Sequence, residues 1–261
     1  MLQYLQVIVR FSKRKLVVGS SAIVVVMVLW LWPLATPSVY MQPNASVPAL
    51  THGPYSTKFP RAENPISEGG KWLNGQKDAL DWADVRTRPG LAFGLEIGGS
   101  RPEPQKFDDA TALLAGTWGP NQTVQATVHS VNQNLSEKVW EEVELRLRST
   151  LTPHSATGYE VMFRCSKTPK AYCNIARWDG ALGKFAYVKT SGGSKYGVAD
   201  GDVVKATMIG NVLTVYINGV QMIQTTDDTF KTGNPGMGFF IDGATGENGN
   251  YGFSSFMATD R

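Results

Sequence analysis

The sequence contains little histidine and almost no charge imbalance. Its 261 residues include three histidines, which lie far apart at His52, His129 and His154. A metal centre built on several histidines is therefore not expected. The formal net charge is +3, from 25 basic and 22 acidic residues, whereas a nucleic-acid-binding domain usually carries a clustered basic face. The composition therefore argues against nucleic acid as a partner.

Charge is missing altogether from residues 16–32, which are apolar except for one glycine and two serines. Basic residues precede this segment, and no lysine or arginine follows it until Lys58. The positive-inside rule then leaves residues 1–15 in the cytoplasm and exports the rest of the chain. A membrane-spanning helix needs about 17–25 residues, and the core of a cleaved signal peptide about 7–15. The segment favours an uncleaved membrane anchor. A cleaved signal would release a secreted protein, and both alternatives place the remaining chain outside the cytoplasm.

Proline, serine, threonine and asparagine are frequent in residues 33–62, which show no periodic apolar pattern. Such a composition predicts a flexible linker. Residues 63–261 contain no internal repeat and are sufficient for one large domain. The predicted organisation is a basic terminus (1–15), a membrane anchor or signal segment (16–32), a linker (33–62) and a single domain (63–261).

Short strands separated by glycine-containing turns predict that this domain is all-β. The clearest evidence lies in residues 203–221, where strands rich in valine, isoleucine and threonine are joined at Gly210-Asn211 and Asn218-Gly219. Asn-Gly suits a type I′ turn because both central residues need a positive φ. A glycine-rich segment, residues 233–238, then leads into another strand. About eleven or twelve strands with few helix signals predict an antiparallel two-sheet β-sandwich.

Two cysteines, Cys165 and Cys173, flank a predicted hairpin whose loop contains Pro169. In an oxidising compartment we expect them to form a cross-strand disulfide, and two buried free thiols are the alternative. No other soft ligand lies nearby in the sequence, so a metal site at this pair is not expected.

The predicted strand 140–148 divides its residues between two faces. Val143, Leu145 and Leu147 share one face by the two-residue period of a strand. The other face carries one aromatic and four charged residues: Trp140, Glu142, Glu144, Arg146 and Arg148. In a purely structural interpretation, the charges form a cross-strand ladder with Arg164 or Arg177 of neighbouring strands.

The order of these motifs resembles the concanavalin A-like lectin and glucanase superfamily, near its laminin G-like and family-16 glucanase-like members. The matching segments are VLTVYING at 212–219, GNPGMGF at 233–239 and YGFSSF at 251–256, and the resemblance covers roughly residues 100–261. It implies a jelly-roll sandwich. It also allows a structural calcium ion, for which Asp108 and Asp260 are candidate ligands.

Carbohydrate recognition without catalysis is the function that we expect, with a polysaccharide or glycoconjugate as partner. Aromatic rings stack on the apolar faces of sugars, while arginine, asparagine and glutamate bond to the hydroxyl groups. Each tryptophan has a place in the hydrophobic core as its alternative role. The predicted site, in the concave cleft of the jelly roll, comprises Trp140, Glu142, Glu144, Arg146, Arg148, Arg164, Tyr172, Asn174 and Trp178.

Two enzymatic interpretations compete with this one, and a purely structural surface domain is a further alternative. A glycosidase needs two carboxyl groups beside the scissile bond, which Glu142 and Glu144 would supply. Family-16 glucanases, however, place three acids along the corresponding strand, and Arg146 occupies the position of the last one. A polysaccharide lyase needs a group that neutralises a uronate, a base and a proton donor. Arg146, His129 and Tyr159 are residues of these types.

Overall fold

The computed structural model of the protein describes residues 54–94, 109–131, 140–242 and 249–261. The predicted basic terminus, the membrane or signal segment, most of the linker and the candidate calcium ligand Asp108 lie outside the described residues. Within the described ranges, no helix has the length and apolar character needed to cross a bilayer.

Strands make up most of the described chain. In order, they are β1 Tyr55–Thr57, β2 Trp72–Asn74, β3 Val85–Arg88, β4 Leu91–Gly94, β5 Ala110–Leu114, β6 Gln122–Ser130, β7 Trp140–Thr152, β8 Ser155–Arg164, β9 Cys173–Gly180, β10 Phe185–Lys189, β11 Val203–Ile209, β12 Val212–Ile217, β13 Val220–Thr226, β14 Asn234–Asp242 and β15 Tyr251–Asp260. A π-helical turn, Gly75–Ala79, and a 3₁₀ turn, Ser194–Tyr196, are the helical elements in these ranges.

The strands form two antiparallel sheets. One has eight strands, in the order β13-β12-β11-β6-β15-β4-β3 with β1 paired to β15. The other has seven strands, in the order β10-β9-β8-β7-β14-β5-β2. The prediction of an all-β, two-sheet antiparallel sandwich is therefore confirmed.

The core lies between the sheets and follows the alternation of the strands. In β7, Val143, Leu145 and Leu147 point into it and are fully buried. In β6, Val124 and Val128 point into it from the other sheet. Because successive side chains of a strand alternate, Glu142 and Glu144 must lie on the outer face of the seven-stranded sheet.

The meander β11-β12-β13 has the two turns that its sequence predicts. Asn218 and Gly219 both have positive φ, 51° and 79°, as a type I′ turn requires. At the other turn Gly210 has a φ of 58°. These turns bring β12 between β11 and β13 in strict antiparallel order.

The sandwich includes part of the segment predicted as linker. Strand β1 pairs with β15 through Tyr55 and Ala258, and the Phe59 side chain is buried in the core. The folded domain therefore extends to at least Tyr55, rather than beginning at residue 63. The composition of residues 33–62 did not indicate this strand because it is only three residues long.

The predicted disulfide is not formed. Cys165 and Cys173 are both free and buried in the core. Cys173 lies directly opposite Phe163, so Cys165 is its diagonal neighbour. Diagonal Cα atoms lie about 7–8 Å apart, beyond the roughly 4.4–6.8 Å that a disulfide spans. Burial raises the pKa of both thiols, which keeps them protonated.

Arg148 does not lie on the predicted face of β7, because the strand contains a bulge. The register with β8 shifts between Leu147 and Thr150, and Arg148 has a φ of 46°. Its side chain leaves the glutamates and donates hydrogen bonds to the carbonyls of Pro120, Gly210 and Phe230 at 2.7, 2.6 and 3.0 Å. Arg148 thus ties three loops to one end of β7.

Candidate functional site

A cavity of about 200 Å³ opens on the outer face of the seven-stranded sheet. One side is acidic: Asp109 precedes β5, Glu142 and Glu144 come from β7, and Glu160 comes from β8. The rest of the lining is apolar or aromatic and comprises Met162, Trp178, Phe185, Tyr187 and Phe240. We call these nine residues the acid–aromatic cavity. Pockets for drug-sized ligands measure about 300–1,000 Å³, so this one suits a single sugar unit or a group of similar size.

Arg146 lies beneath the acids and holds two of them. Its Nη2 is 2.8 Å from Glu144 Oε2, and its Nη1 is 2.5 Å from Glu160 Oε2. The same Nη2 donates to Thr111 Oγ1 at 3.0 Å. Arg146 is directly opposite Glu160 in the β7–β8 register, which explains why this pair meets. A buried charge needs such partners, because leaving it unpaired costs several kcal/mol.

Gly238 of β14 makes room for this network. It lies opposite Glu144 across the β7–β14 pair. A Cβ atom there would be 2.2 Å from Glu144 Oε2 and 3.2 Å from Arg146 Nε. The sequence suggested that the glycines at 233–238 form a turn, but β14 begins at Asn234. Gly238 is therefore a strand glycine whose missing side chain admits the acid and the arginine.

Glu144 presents one oxygen without a partner. Its side chain is 1% exposed, and Oε1 forms no hydrogen bond with any of the described residues. Burial, together with the nearby Glu160 carboxylate, raises the pKa of Glu144 well above its ordinary value. A buried acceptor of this kind is costly unless something donates to it. A ligand in the cavity is the natural source of that donor.

Glu142 is the second acid of β7 in the cavity. Tyr172, on the segment leading into β9, donates its hydroxyl to Glu142 Oε1, and Arg164 lies opposite Glu142 in the β7–β8 register. Burial raises the pKa of the Glu142 carboxyl to about 8 and outweighs the lowering effect of the Tyr172 hydrogen bond. Glu142 is therefore largely protonated at neutral pH.

The aromatic wall comes from β9 and the edge strand β10. Phe185 lies opposite Trp178 in the sheet, with ring centroids 5.1 Å apart. Tyr187 packs edge-on against Phe185 at 5.5 Å and is 54% exposed. Trp178 Nε1 donates to Glu160 Oε2 at 2.5 Å. This hydrogen bond fixes the indole against the acidic side, so the cavity has an apolar wall facing carboxyl groups.

Residues 75–82 pass over one part of this outer face. The chain leaves the sheet after Asn74, which pairs with Ala112, and returns at Ala83, which bridges Ala110. Trp82, fully buried, packs edge-on against Trp178 at 5.7 Å. A Cβ atom on Gly75 would lie 2.3 Å from Ala83 O, so only glycine allows the two ends of this segment to approach each other. Residues 75–82 therefore bury Trp178 and fix its ring in the cavity wall.

Most of the residues predicted for the site share this face. Besides Glu142, Glu144, Arg146, Tyr172 and Trp178, the structure places Trp140, Arg164 and Asn174 here. The Arg164 guanidinium stacks over the Trp140 ring, 5.0 Å from its centroid. Asn174 Oδ1 accepts a hydrogen bond from Ser191 N at 3.1 Å. These three residues surround the acid–aromatic cavity but do not line it.

Other predicted partners lie elsewhere. Arg177, predicted to pair with the glutamates, instead pairs with Asp179 and Asp227 at 2.8 and 3.0 Å. His129 is on β6 of the opposite sheet, 3.1 Å from Asp200. The Tyr159 hydroxyl donates to Asp227 Oδ1 at 2.6 Å. The residue set predicted for a lyase therefore does not assemble.

Six lining residues, and the structural role of Gly238, were not predicted. Glu160 and Met162 of β8 and Phe185 and Tyr187 of β10 have the alternation that puts them on this face, and Asp109 precedes β5. Only the pairing of β8 with β7 and of β10 with β9 shows that their residues meet at one point. Phe240 follows the same alternation in β14.

A metal site is not evident in the described part of the chain, where no group of three or more His, Cys, Asp or Glu side chains could hold an ion. Asp260, a candidate calcium ligand, accepts a hydrogen bond from Gly119 N at 2.5 Å through Oδ2. It closes the end of β15 against the loop before β6.

Comparison with known proteins extends these observations. No protein-family model matches the chain, and no curated protein matches it. Among solved structures, the metal-free carbohydrate recognition domain of Emp46p is 14% identical, with a TM-score of 0.51. The match covers 79% of this chain and 96% of that domain. The chain has a concanavalin A-like jelly-roll fold.

Two other solved structures are also similar to this chain. The carbohydrate-binding module CBM66 from Bacillus subtilis is 13% identical, with a TM-score of 0.47, over 69% of this chain and 96% of the module. A GlcNAcα1-4Gal-releasing endo-β-galactosidase from Clostridium perfringens is 10% identical, with a TM-score of 0.47, over 78% of this chain and 61% of the enzyme. The jelly-roll sandwich that the sequence motifs predicted is confirmed by the two antiparallel sheets and by the likeness to the Emp46p domain. At these identities function must be argued from the site.

Proposed function

We propose that this protein recognises carbohydrate and that the sugar enters the acid–aromatic cavity. One observation carries the proposal: rings of Trp178 and Tyr187 line the same cavity as Glu142 and Glu144. A pyranose has an apolar C–H face that suits an aromatic ring, and hydroxyl groups that donate to carboxyl oxygens. A concave apolar site with a few converging polar groups is the usual form of a small-ligand site.

The fold supports the same proposal. Emp46p, whose domain is named as a carbohydrate recognition domain, shares the concanavalin A-like sandwich. Since one fold hosts many functions, this likeness supports recognition of a sugar without identifying which one.

We further propose that residues 16–32 anchor the protein in a membrane and hold the sandwich outside the cytoplasm. The uncharged apolar segment, preceded by basic residues, supports this orientation. Mass spectrometry of the protein from its native membrane tests it. An intact N-terminus supports the anchor, and a mature chain beginning near Thr36 contradicts it.

A glycan array probed with the full-length protein tests the recognition function. The detergent must lack a sugar headgroup, because such a headgroup would compete for the cavity. We expect Tyr187→Ala to weaken binding about three- to tenfold, since one aromatic contact contributes about 0.5–1.5 kcal/mol. Tyr216→Ala, on the eight-stranded sheet, is the matched control. Absence of binding, or equal losses in both variants, would contradict the proposal.

Glycoside hydrolysis is the second candidate function. The observation in its favour is Glu142, whose pKa of about 8 suits a general acid, near Glu144, whose Oε1 has no hydrogen-bond partner among the described residues. Against it, Arg146 stands where family-16 glucanases have their third acid, and it is tied to Glu144 and Glu160. A reducing-end assay on bound glycans separates the functions. Product that disappears in both Glu142→Gln and Glu144→Gln supports hydrolysis, and binding without product supports recognition alone.

A further inference from the structure

We propose that the acid–aromatic cavity selects sugars that carry a protonated amine, such as glucosamine with a free amino group, over neutral and anionic sugars. This inference rests on the proposed carbohydrate recognition and specifies its ligand class.

The charge of the lining is the first argument. Asp109, Glu142, Glu144 and Glu160 line the cavity, and the described lining includes no lysine, arginine or histidine. An anionic sugar such as a uronate would meet repulsion here while losing its hydration. A cationic group would gain the attraction of the acids that are ionised, or that lose their proton when it binds, in a site shielded from water.

Arg146 does not remove this preference, because it is shared. Its guanidinium contacts both Glu144 and Glu160, so one positive charge is shared between two acids. Arg164, opposite Glu142, stacks on Trp140 and donates to the Lys170 carbonyl at 3.0 Å. Burial raises the pKa of Glu142 by more than the charge of Arg164 lowers it. The titratable and charged groups facing Glu142 and Glu144 are Asp109 before β5, Arg146 on β7, Glu160 and Arg164 on β8, Tyr172 before β9 and Tyr187 on β10.

The unpartnered oxygen of Glu144 is the second and independent argument. Oε2 is held by Arg146, while the buried Oε1 has no donor among the described residues. An ammonium group brings three N–H donors and a positive charge to that position. Charge-assisted hydrogen bonds are about twice as strong as neutral ones, so an amine satisfies Oε1 better than a hydroxyl group does.

Titration calorimetry on the full-length protein tests this selectivity. The probes are the β-1,4-linked trisaccharides of glucosamine, N-acetylglucosamine and glucose, with trigalacturonate as the anionic member. We expect the glucosamine trisaccharide to bind at least about tenfold more tightly than the neutral ones, from the difference between charged and neutral hydrogen bonds. Trigalacturonate should bind least.

A proton balance gives a second readout that needs no variant. An amine bound beside Glu142 and Glu144 favours their ionised forms, so binding should release protons. The affinity for the glucosamine trisaccharide should then rise by up to about tenfold per pH unit between about pH 5.5 and 7 for each proton released. Affinity for the neutral trisaccharides should change little. Calorimetry in two buffers of different ionisation enthalpy measures the released protons directly.

Glu144→Gln tests the named oxygen. Glutamine can still accept from Arg146, but it presents an amide N–H₂ where Oε1 lay. We expect the preference for glucosamine to fall several-fold, with the remainder coming from the three other acids of the lining, while neutral sugars keep their affinity within about threefold. Asp228→Asn, an exposed acid paired with Lys231, is the control. Equal affinities for amine and neutral sugars, or no proton release, would overturn the inference and leave carbohydrate recognition intact. Binding of none of the sugars, here and on the array, would overturn recognition itself.

Discussion

Replacing Glu142 by glutamine tests whether burial, rather than a specific partner, controls the electrostatics of the cavity. The side chain is 7% exposed, and its pKa rises from 4.5 to about 8. Between these pH values the unfolded chain has released the proton while the folded protein still binds it. The free energy of unfolding therefore falls as the pH rises through this window. Below pH 4.5 both states are protonated, so this carboxyl has no effect there.

The size of the effect follows from the same two values. Each pH unit corresponds to about 1.4 kcal/mol for one proton, so the whole window corresponds to about 5 kcal/mol. Glutamine has the same shape, accepts the Tyr172 hydrogen bond through its oxygen and cannot ionise. We expect Glu142→Gln to match the wild type near pH 4.5 and to exceed it by up to about 5 kcal/mol at pH 8.

Urea unfolding followed by tryptophan fluorescence measures this difference across the pH range. Asp228→Asn serves as control, because this exposed acid contributes at most about 1 kcal/mol through its surface pair. Its curve should parallel the wild type. A constant difference between Glu142→Gln and wild type from about pH 5 to 8 would refute the argument, since it would mean that Glu142 is ionised in the folded protein.

Three further predictions follow from the packing. Gly238→Ala should lower the free energy of unfolding by about 1–3 kcal/mol, because the new Cβ would press on Glu144; an unchanged urea midpoint would contradict that close approach. Arg148→Met should lower it by about 3 kcal/mol, since three loop carbonyls lose a charged donor, and Arg148→Lys should recover only part of the loss. Cys165 and Cys173 should resist a thiol reagent in the native protein and give two thiols per chain in denaturant without reductant. A smaller count would indicate a disulfide.

The local sequence pattern predicted strands correctly where they were long or were bounded by clear turns. The alternation of Val143, Leu145 and Leu147 correctly predicted the core face of β7. The pair Asn218-Gly219 correctly predicted the turn between β12 and β13. The bulge at Arg148 was not predictable, because it depends on pairing with Gly158, where a Cβ would lie 2.5 Å from Ser149 Cα. A period-two pattern carries no information about such a shift in register.

The site was harder to predict because its members come from six places in the sequence. The sequence placed Glu142 and Glu144 on one face of a strand, in a cleft or, alternatively, in a cross-strand ladder of charges. Their burial depends on neighbours that only the sheet order brings together, namely Trp178 on β9 and Tyr187 on β10. The disulfide prediction failed for a related reason: a two-residue offset in pairing separates Cys165 from Cys173, although both lie beside the same loop.

The two walls of the cavity differ in how freely they can change. Glu144 of β7 and Glu160 of β8 are both bonded to Arg146, and Glu160 also accepts a hydrogen bond from Trp178, near the centre of the sheet. A substitution there alters folding and ligand charge preference together. Tyr187 stands half-exposed on an edge strand, so its replacement barely touches the core. Homologues of this protein could therefore come to bind sugars of other shapes through substitutions in β10 while keeping the same preference for charge.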